Sequence, residues 1–263
     1  MDKEERNLEE ARSLIKAGPI ALITGISALC QFLTDSPSTV FSIGMGTSII
    51  SSTLGYGMDL LSSSEKRRLD RLGNSILLEI KDRLEQGHKP REDGFFDMKP
   101  AIRSSADELC DAILEMSRSE HQEKKISYIG NLYVSVAFTD EISPDEANRL
   151  LRLLKSATYR EICILAMLSQ EREQEGLRTN CLDKEKGSDE LSSLMQECSE
   201  LEGWGLLSQV NYDQGPLYGV PSWVHVIPAN LRITPYGKRL AELSHLSKIH
   251  ENDVQAIREI MRA

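Results

Sequence analysis

The chain has 263 residues, of which 40% are hydrophobic, 5% aromatic and 27% charged, with a formal net charge of -10. The apolar share can fill a core and excludes wholesale disorder, and the length allows two domains or one domain with an appended piece. The acidic balance repels a phosphate backbone on average, and so few aromatic side chains argue against a carbohydrate or base-stacking surface.

Glu4 to Lys16 predicts a short helix around Leu8, Ala11, Leu14 and Ile15, broken at Gly18-Pro19. Between Lys16 and Asp59 the only charged side chain is Asp35, so this tract must be buried in a core, against a partner or in lipid. Pro19 suits the first turn of a helix running to about Leu33. After the turn Thr34-Asp35-Ser36-Pro37, a second helix from about Thr39 to Leu61 carries the stripe Val40, Ile43, Thr47, Ile50, Leu54, Met58 and Leu61. Gly44, Ser48, Ser51 and Gly55 lie beside it as a small face that lets another backbone approach closely. The two helices predict an antiparallel hydrophobic hairpin, with Ile43, Ile50, Leu54 and Met58 as its core or membrane stripe.

Charge returns at Ser64-Glu65-Lys66-Arg67-Arg68, and Leu69, Leu72, Ile76, Ile80 and Leu84 predict an amphipathic helix. Gly87 to Gly94 is a polar loop. Helices follow over about Pro100 to Ser117 and around Ile126, Ile129, Tyr133 and Val136. Ser143-Pro144-Asp145-Glu146 is a helix start with a cap, a first-turn proline and a glutamate at the third position. Thr158-Tyr159-Arg160-Glu161 is a second capping box, opening a helix with Ile162, Leu165 and Leu168 inward.

After a polar run from Glu171 to Asp189, Glu190 to Leu201 is helical, with Leu191, Leu194, Met195 and Cys198 inward. Trp204 to Val210 and Trp223 to Ile227 are predicted as the strands of a small hairpin, packed by Trp204, Trp223 and Tyr236. Thr234-Pro235 starts a further helix, and a last one covers about Glu251 to Arg262. This order resembles that of a winged helix. The fold class expected is therefore mainly α: an N-terminal hydrophobic helical hairpin (1–62), a helical bundle (63–155) and a C-terminal winged-helix-like domain with a small β hairpin (156–263).

The helix in the reading position, Asp189 to Glu202, holds five carboxylates and no lysine or arginine. Base and phosphate contacts need cations or amides, so nucleic acid is disfavoured, and Glu190, Glu197 and Glu200 are expected to form a protein-interaction surface. Asp140, Glu141, Asp145 and Glu146 gather oxygens, but the EF-hand spacing is missing and a helix start accounts for them. The five histidines make no metal spacing, and no GxSxG, HExxH, phosphate loop or paired CxxC is present. No catalytic residue, cofactor or metal is expected. Cys30, Cys110, Cys163, Cys181 and Cys198 read as reduced thiols. The acidic opening Met1-Asp2-Lys3-Glu4-Glu5 argues against a secretory or transit peptide, so the expected compartment is the cytoplasm, with association at the inner membrane as the alternative.

The lysine-rich approach to Tyr128-Ile129-Gly130-Asn131-Leu132, then Ile142 to Leu154 (ISPDEANRLLRLL), then Leu206-Leu207 and Ile233 to Leu240 (ITPYGKRL), resembles bacterial proteins of the abortive-infection alpha kind. The likeness covers roughly Glu120 to Leu243. It implies a role in antiphage defence through protein contacts or membrane damage, and it carries no catalytic residue. The function expected is a non-enzymatic, oligomerising protein-interaction component of a stress or antiphage defence response. One alternative is a membrane-acting effector whose residues 18–61 insert into the inner membrane; a second is a winged-helix transcriptional regulator. If the small face makes a close helix contact, Gly44→Leu and Gly55→Leu each lower the assembled mass in light scattering. Unchanged mass and stability in both variants would remove that role.

Overall fold

The computed structural model describes residues 61–97, 104–170, 176–180, 189–210 and 222–262. The hydrophobic hairpin, with Ile43, Gly44, Ser48, Ile50, Ser51, Leu54, Gly55 and Met58, lies outside the described residues. Within them the fold is mainly α, with eight α-helices and one two-stranded sheet. No helix among the described residues is long and apolar enough to cross a membrane. The chain divides between Arg152 and Leu153 into two compact units.

The first unit holds α1 (Ser63–Glu85), α2 (Ser105–Ser119), α3 (Ile126–Ala137) and the opening turns of α4 (Pro144–Ser156). Ser62 begins α1 with a capping box: its Oγ accepts from the Glu65 N–H, and Glu65 Oε2 accepts from the Ser62 N–H at 2.8 Å. Leu69, Leu72, Ile76 and Ile80 are buried at the predicted helical spacing, joined by Leu77 and Glu79. Ser104 caps α2, which buries Leu109, Cys110, Ile113 and Met116. Between them α3 is buried on every side, with all residues but Ser127 inside. Its β-branched side chains give it modest intrinsic helicity, so tertiary burial holds it helical.

α1 packs closely along α3, and Gly130 sets their distance. A Cβ there would overlap Ser75 Oγ and meet Ile76 Cγ1 at 3.3 Å. Polar groups carried into this contact are paired. Arg83 donates to Glu79 Oε1 at 2.9 Å and to Ser135 Oγ at 2.8 Å, and its guanidinium lies 5.8 Å from the centre of the Phe138 ring. Arg91, only 7% exposed, fastens the loop after α1: it donates to Ile142 O at 2.8 Å, pairs with Asp93 and lies 4.6 Å from the centre of the Phe95 ring. These contacts satisfy a buried cation that would otherwise be costly.

The second unit is arranged around α5 (Tyr159–Ser169), whose residues Glu161 to Leu168 are all buried. Thr158 and Glu161 form the predicted capping box. α6 (Asp189–Gly203), α7 (Pro235–Leu243) and α8 (Glu251–Arg262) pack on α5, and Tyr159 donates to Asp253 Oδ2 on α8 at 2.8 Å. β1 (Leu207–Gln209) pairs antiparallel with β2 (Leu231–Ile233) in the register Leu207↔Ile233, Ser208↔Arg232, Gln209↔Leu231. Thr234 caps α7 by accepting from the Gly237 N–H at 3.0 Å, with Pro235 in its first turn. Gly237 is required here because a Cβ would collide with the Leu206 carbonyl oxygen.

The expected strand Trp223 to Ile227 is corrected. Ser222–His225 is a 3-10 turn packed on α6, and His225 is buried there rather than in a strand. The Val226 N–H donates to Trp223 O within that turn, and the Ile227 N–H is taken by the Gln209 side chain at 2.9 Å, so neither is free for a ladder. Leu231–Ile233 pairs with β1 instead. Trp204, Trp223 and Tyr236 are half-buried.

Gly130→Ala should lower unfolding free energy by about 1–2 kcal/mol through overpacking, although alanine favours a helix. Removing the obstructing hydroxyl as well, in Ser75→Ala/Gly130→Ala, should restore wild-type stability or exceed it. Additive losses in urea unfolding would show that the overlap with Ser75 is not the cause.

Candidate functional site

α6 has an inner face of Leu191, Leu194, Met195, Cys198 and Leu201. Its outer residues Glu190, Ser193, Gln196 and Glu200 are exposed, with Glu197 half-buried at the edge. At 100° and 1.5 Å per residue, Glu190, Glu197 and Glu200 fall within an arc of roughly 80° over about 15 Å. The three residues predicted as an interaction surface therefore share one side of the helix, in different states. Glu190 is exposed, and Glu200 is exposed while accepting from Gln196 Nε2 at 3.3 Å. Glu197 is engaged internally: Arg160 of α5 donates to its Oε2 at 2.7 Å and reaches Ser193 Oγ as well. This ion pair raises the Arg160 guanidinium above its ordinary value, chiefly through the hydrogen bond to Glu197.

Glu161, which follows Arg160 in α5, is 1% exposed. Its Oε2 accepts from the Thr158 N–H at 2.6 Å, while Oε1 is buried without a hydrogen-bond partner. Burial pushes its carboxyl up; the Thr158 bonds oppose this, and the Glu197 and Glu200 charges add to the rise. Glu202 is pushed up by burial too, against the Gln209 amide that donates to it at 3.2 Å. The Cys198 thiol, fully buried, is raised strongly by burial and then by Glu197, which makes it an inert core group. The sequence shows Glu161 as a cap residue, but its burial and its exposure to the charges of Glu197 and Glu200 depend on α6 packing on α5.

The remaining candidates do not gather into a site. Asp140, Glu141 and Asp145 are exposed around the start of α4, where Ser143 Oγ accepts from the Glu146 N–H at 3.2 Å. His88, His121 and His250 are exposed, and His245 adopts the left-handed conformation after α7. Among the described residues no group of three or more His, Cys, Asp or Glu side chains could hold a metal ion.

No protein-family model matches this chain, and no curated protein or solved structure matches it either.

Because the folded chain holds the Glu161 carboxyl above its unfolded value, protonation there favours folding. That contribution is fully present below the ordinary carboxylate range and is lost as pH rises through the raised folded value. Glu161→Gln keeps an acceptor for Thr158 and removes the charge. Its stability relative to wild type should therefore be greater at about pH 7 than at about pH 4. An equal difference at both pH values in urea unfolding would mean that the buried carboxyl does not titrate with folding.

Proposed function

We propose that the chain is a non-enzymatic, cytoplasmic protein-interaction component of a bacterial stress or antiphage defence response, working as an oligomer or with a protein partner. The observation that carries this reading is the outer face of α6, where Glu190 and Glu200 are exposed on a helix without a lysine or arginine. The order α5, α6, β1, β2, α7 supports a winged-helix-like second unit in which α6 stands where such a fold places its reading helix. A duplex would meet carboxylates there, so the surface suits a basic protein segment better than a phosphate backbone. The resemblance of Glu120 to Leu243 to abortive-infection alpha proteins supplies the defence context.

A second reading, a membrane-acting effector, is favoured by the tract between Lys16 and Asp59 with its single charge.

The experiment is phage challenge of cells producing wild type or Glu190→Lys/Glu200→Lys, with thermal stability and solution mass measured on the purified proteins. The charge reversal should abolish protection or change the assembled mass, while the melting temperature stays within a few degrees because both sites are exposed. Protection and mass equal to wild type would remove α6 as the working surface.

A further inference from the structure

The start of α1, the end of α2 and the 3-10 turn Glu123–Lys125 bring Arg67, Arg68, Arg71 and Arg118 together. Arg67 grips Glu123 with Nε at 3.1 Å and Nη2 at 2.6 Å from Oε1, with Nε also 3.3 Å from Oε2. Arg71 donates to the Glu123 carbonyl at 3.0 Å, and Arg68 donates to the Arg118 carbonyl. Arg118 in turn donates to Glu65 Oε1 at 3.0 Å. Three guanidinium groups, Arg67, Arg71 and Arg68, thus act on the one carboxylate of Glu123 and hold it below the usual range, Arg67 most strongly through its hydrogen bonds.

The geometry of these pairs decides what the surface shows. The Arg67 side chain is 64% exposed against 27% for Glu123, and Arg118 is 53% exposed against 25% for Glu65. In both pairs the cation is the outer member and the carboxylate is recessed. Asp70, on the same turns, is half-buried with its carboxyl raised by burial, and Glu120 is taken by Lys125 at 2.7 Å. A chain of net charge -10 therefore turns a cation-faced patch outward here. A guanidinium fork that holds a carboxylate in two-point fashion fits a phosphate oxygen pair equally well.

Its place in the chain selects among phosphate sources. Arg67 and Arg71 lie five and nine residues after Ser62, the α1 cap, or about 8 and 14 Å along the helix axis. The low-charge tract ends at Met58, just before that cap. We infer that the Arg67, Arg68, Arg71 and Arg118 patch binds the phosphate headgroups of an anionic membrane surface, beside the point where the low-charge tract joins α1. A long nucleic acid is disfavoured, because it would extend beyond this patch over an acidic protein. The inference stands apart from the α6 surface and does not require that residues 18–61 insert in lipid.

The test is co-sedimentation of the full chain with vesicles of phosphatidylcholine alone or mixed with phosphatidylglycerol, at low and high salt. Binding should require phosphatidylglycerol and fall with salt. Arg67→Gln/Arg71→Gln should weaken it by about tenfold or more, with unchanged helical content. Glu123→Gln, which releases the Arg67 fork and removes the recessed charge, should strengthen it. Equal binding to both vesicle types, or a Glu123→Gln variant no tighter than wild type, would overturn the inference. So would full competition by inorganic phosphate at matched ionic strength, which marks a small-anion site, or preferential capture of RNA through the same arginines. Glu190→Lys/Glu200→Lys should leave vesicle binding intact, so failure here and failure of the α6 reading can be told apart.

Discussion

Each unit depends on keeping one helix out of water on every side. α3 exposes no full face, and neither does the stretch Glu161 to Leu168 of α5. A helix satisfies its backbone internally and can be surrounded by apolar side chains, but only if its neighbours supply complete cover. That requirement fixes what α1 and α2 must be in the first unit and what α6, α7 and α8 must be in the second: amphipathic helices with one apolar face each. It also leaves any polar side chain drawn into the contact to find its partner inside the protein. Glu79, Arg83 and Ser135 do so between α1 and α3, and Arg91 does so with backbone carbonyls and Asp93.

Close cover needs backbones near one another, and the two glycine contacts follow from this. Gly130 lets α1 lie on α3, and Gly237 lets the first turn of α7 lie on the Leu206 carbonyl. The second contact also explains how a sheet of two three-residue strands persists. An isolated pair that short is not stable in water. Here the Thr234 N–H and hydroxyl both reach Leu206 O, β2 packs on α5 and β1 on α6. The sheet is a product of the helical packing around it.

The parts of this fold legible in the sequence are those whose cause is local. Thr158 with Glu161, Ser143 with Pro144 and Thr234 with Pro235 announce helix starts, because cap and partner are within three residues. The inward stripe of α1 is legible for the same reason. Of the small hairpin, the expected strand Trp204 to Val210 contains β1, but Trp223 to Ile227 misleads, since such a run has strand-like composition whether or not a partner edge is free. Gln209 takes the Ile227 N–H and the chain closes a 3-10 turn instead. The second strand, Leu231–Ile233, is too short for an alternating pattern to mark. Charge misleads in the same way: Glu161 and Arg91 carry the composition of surface residues, and only the elements that cross over them bury them. Of the candidate surface, the acidity of α6 was legible, but the withdrawal of Glu197 by Arg160 was not.

Net charge is therefore a poor guide to what a given face presents. On α6, Arg160 from α5 occupies the edge and leaves Glu190 and Glu200 outermost, so the acidic composition reaches solvent. At the start of α1 the order is reversed, with carboxylates recessed and guanidinium groups outward. The Arg67–Glu123 and Arg118–Glu65 pairs add little to stability, because pairs open to water gain little Coulomb energy and lose side-chain entropy. Their consequence is the field just outside the surface, which depends on which member of a pair stands further out. A recessed carboxylate orients the arginine above it and only partly offsets the charge a large partner would meet. The same carboxylate competes for the fork when a phosphate approaches, which makes Glu123 a brake on the patch as well as its organiser.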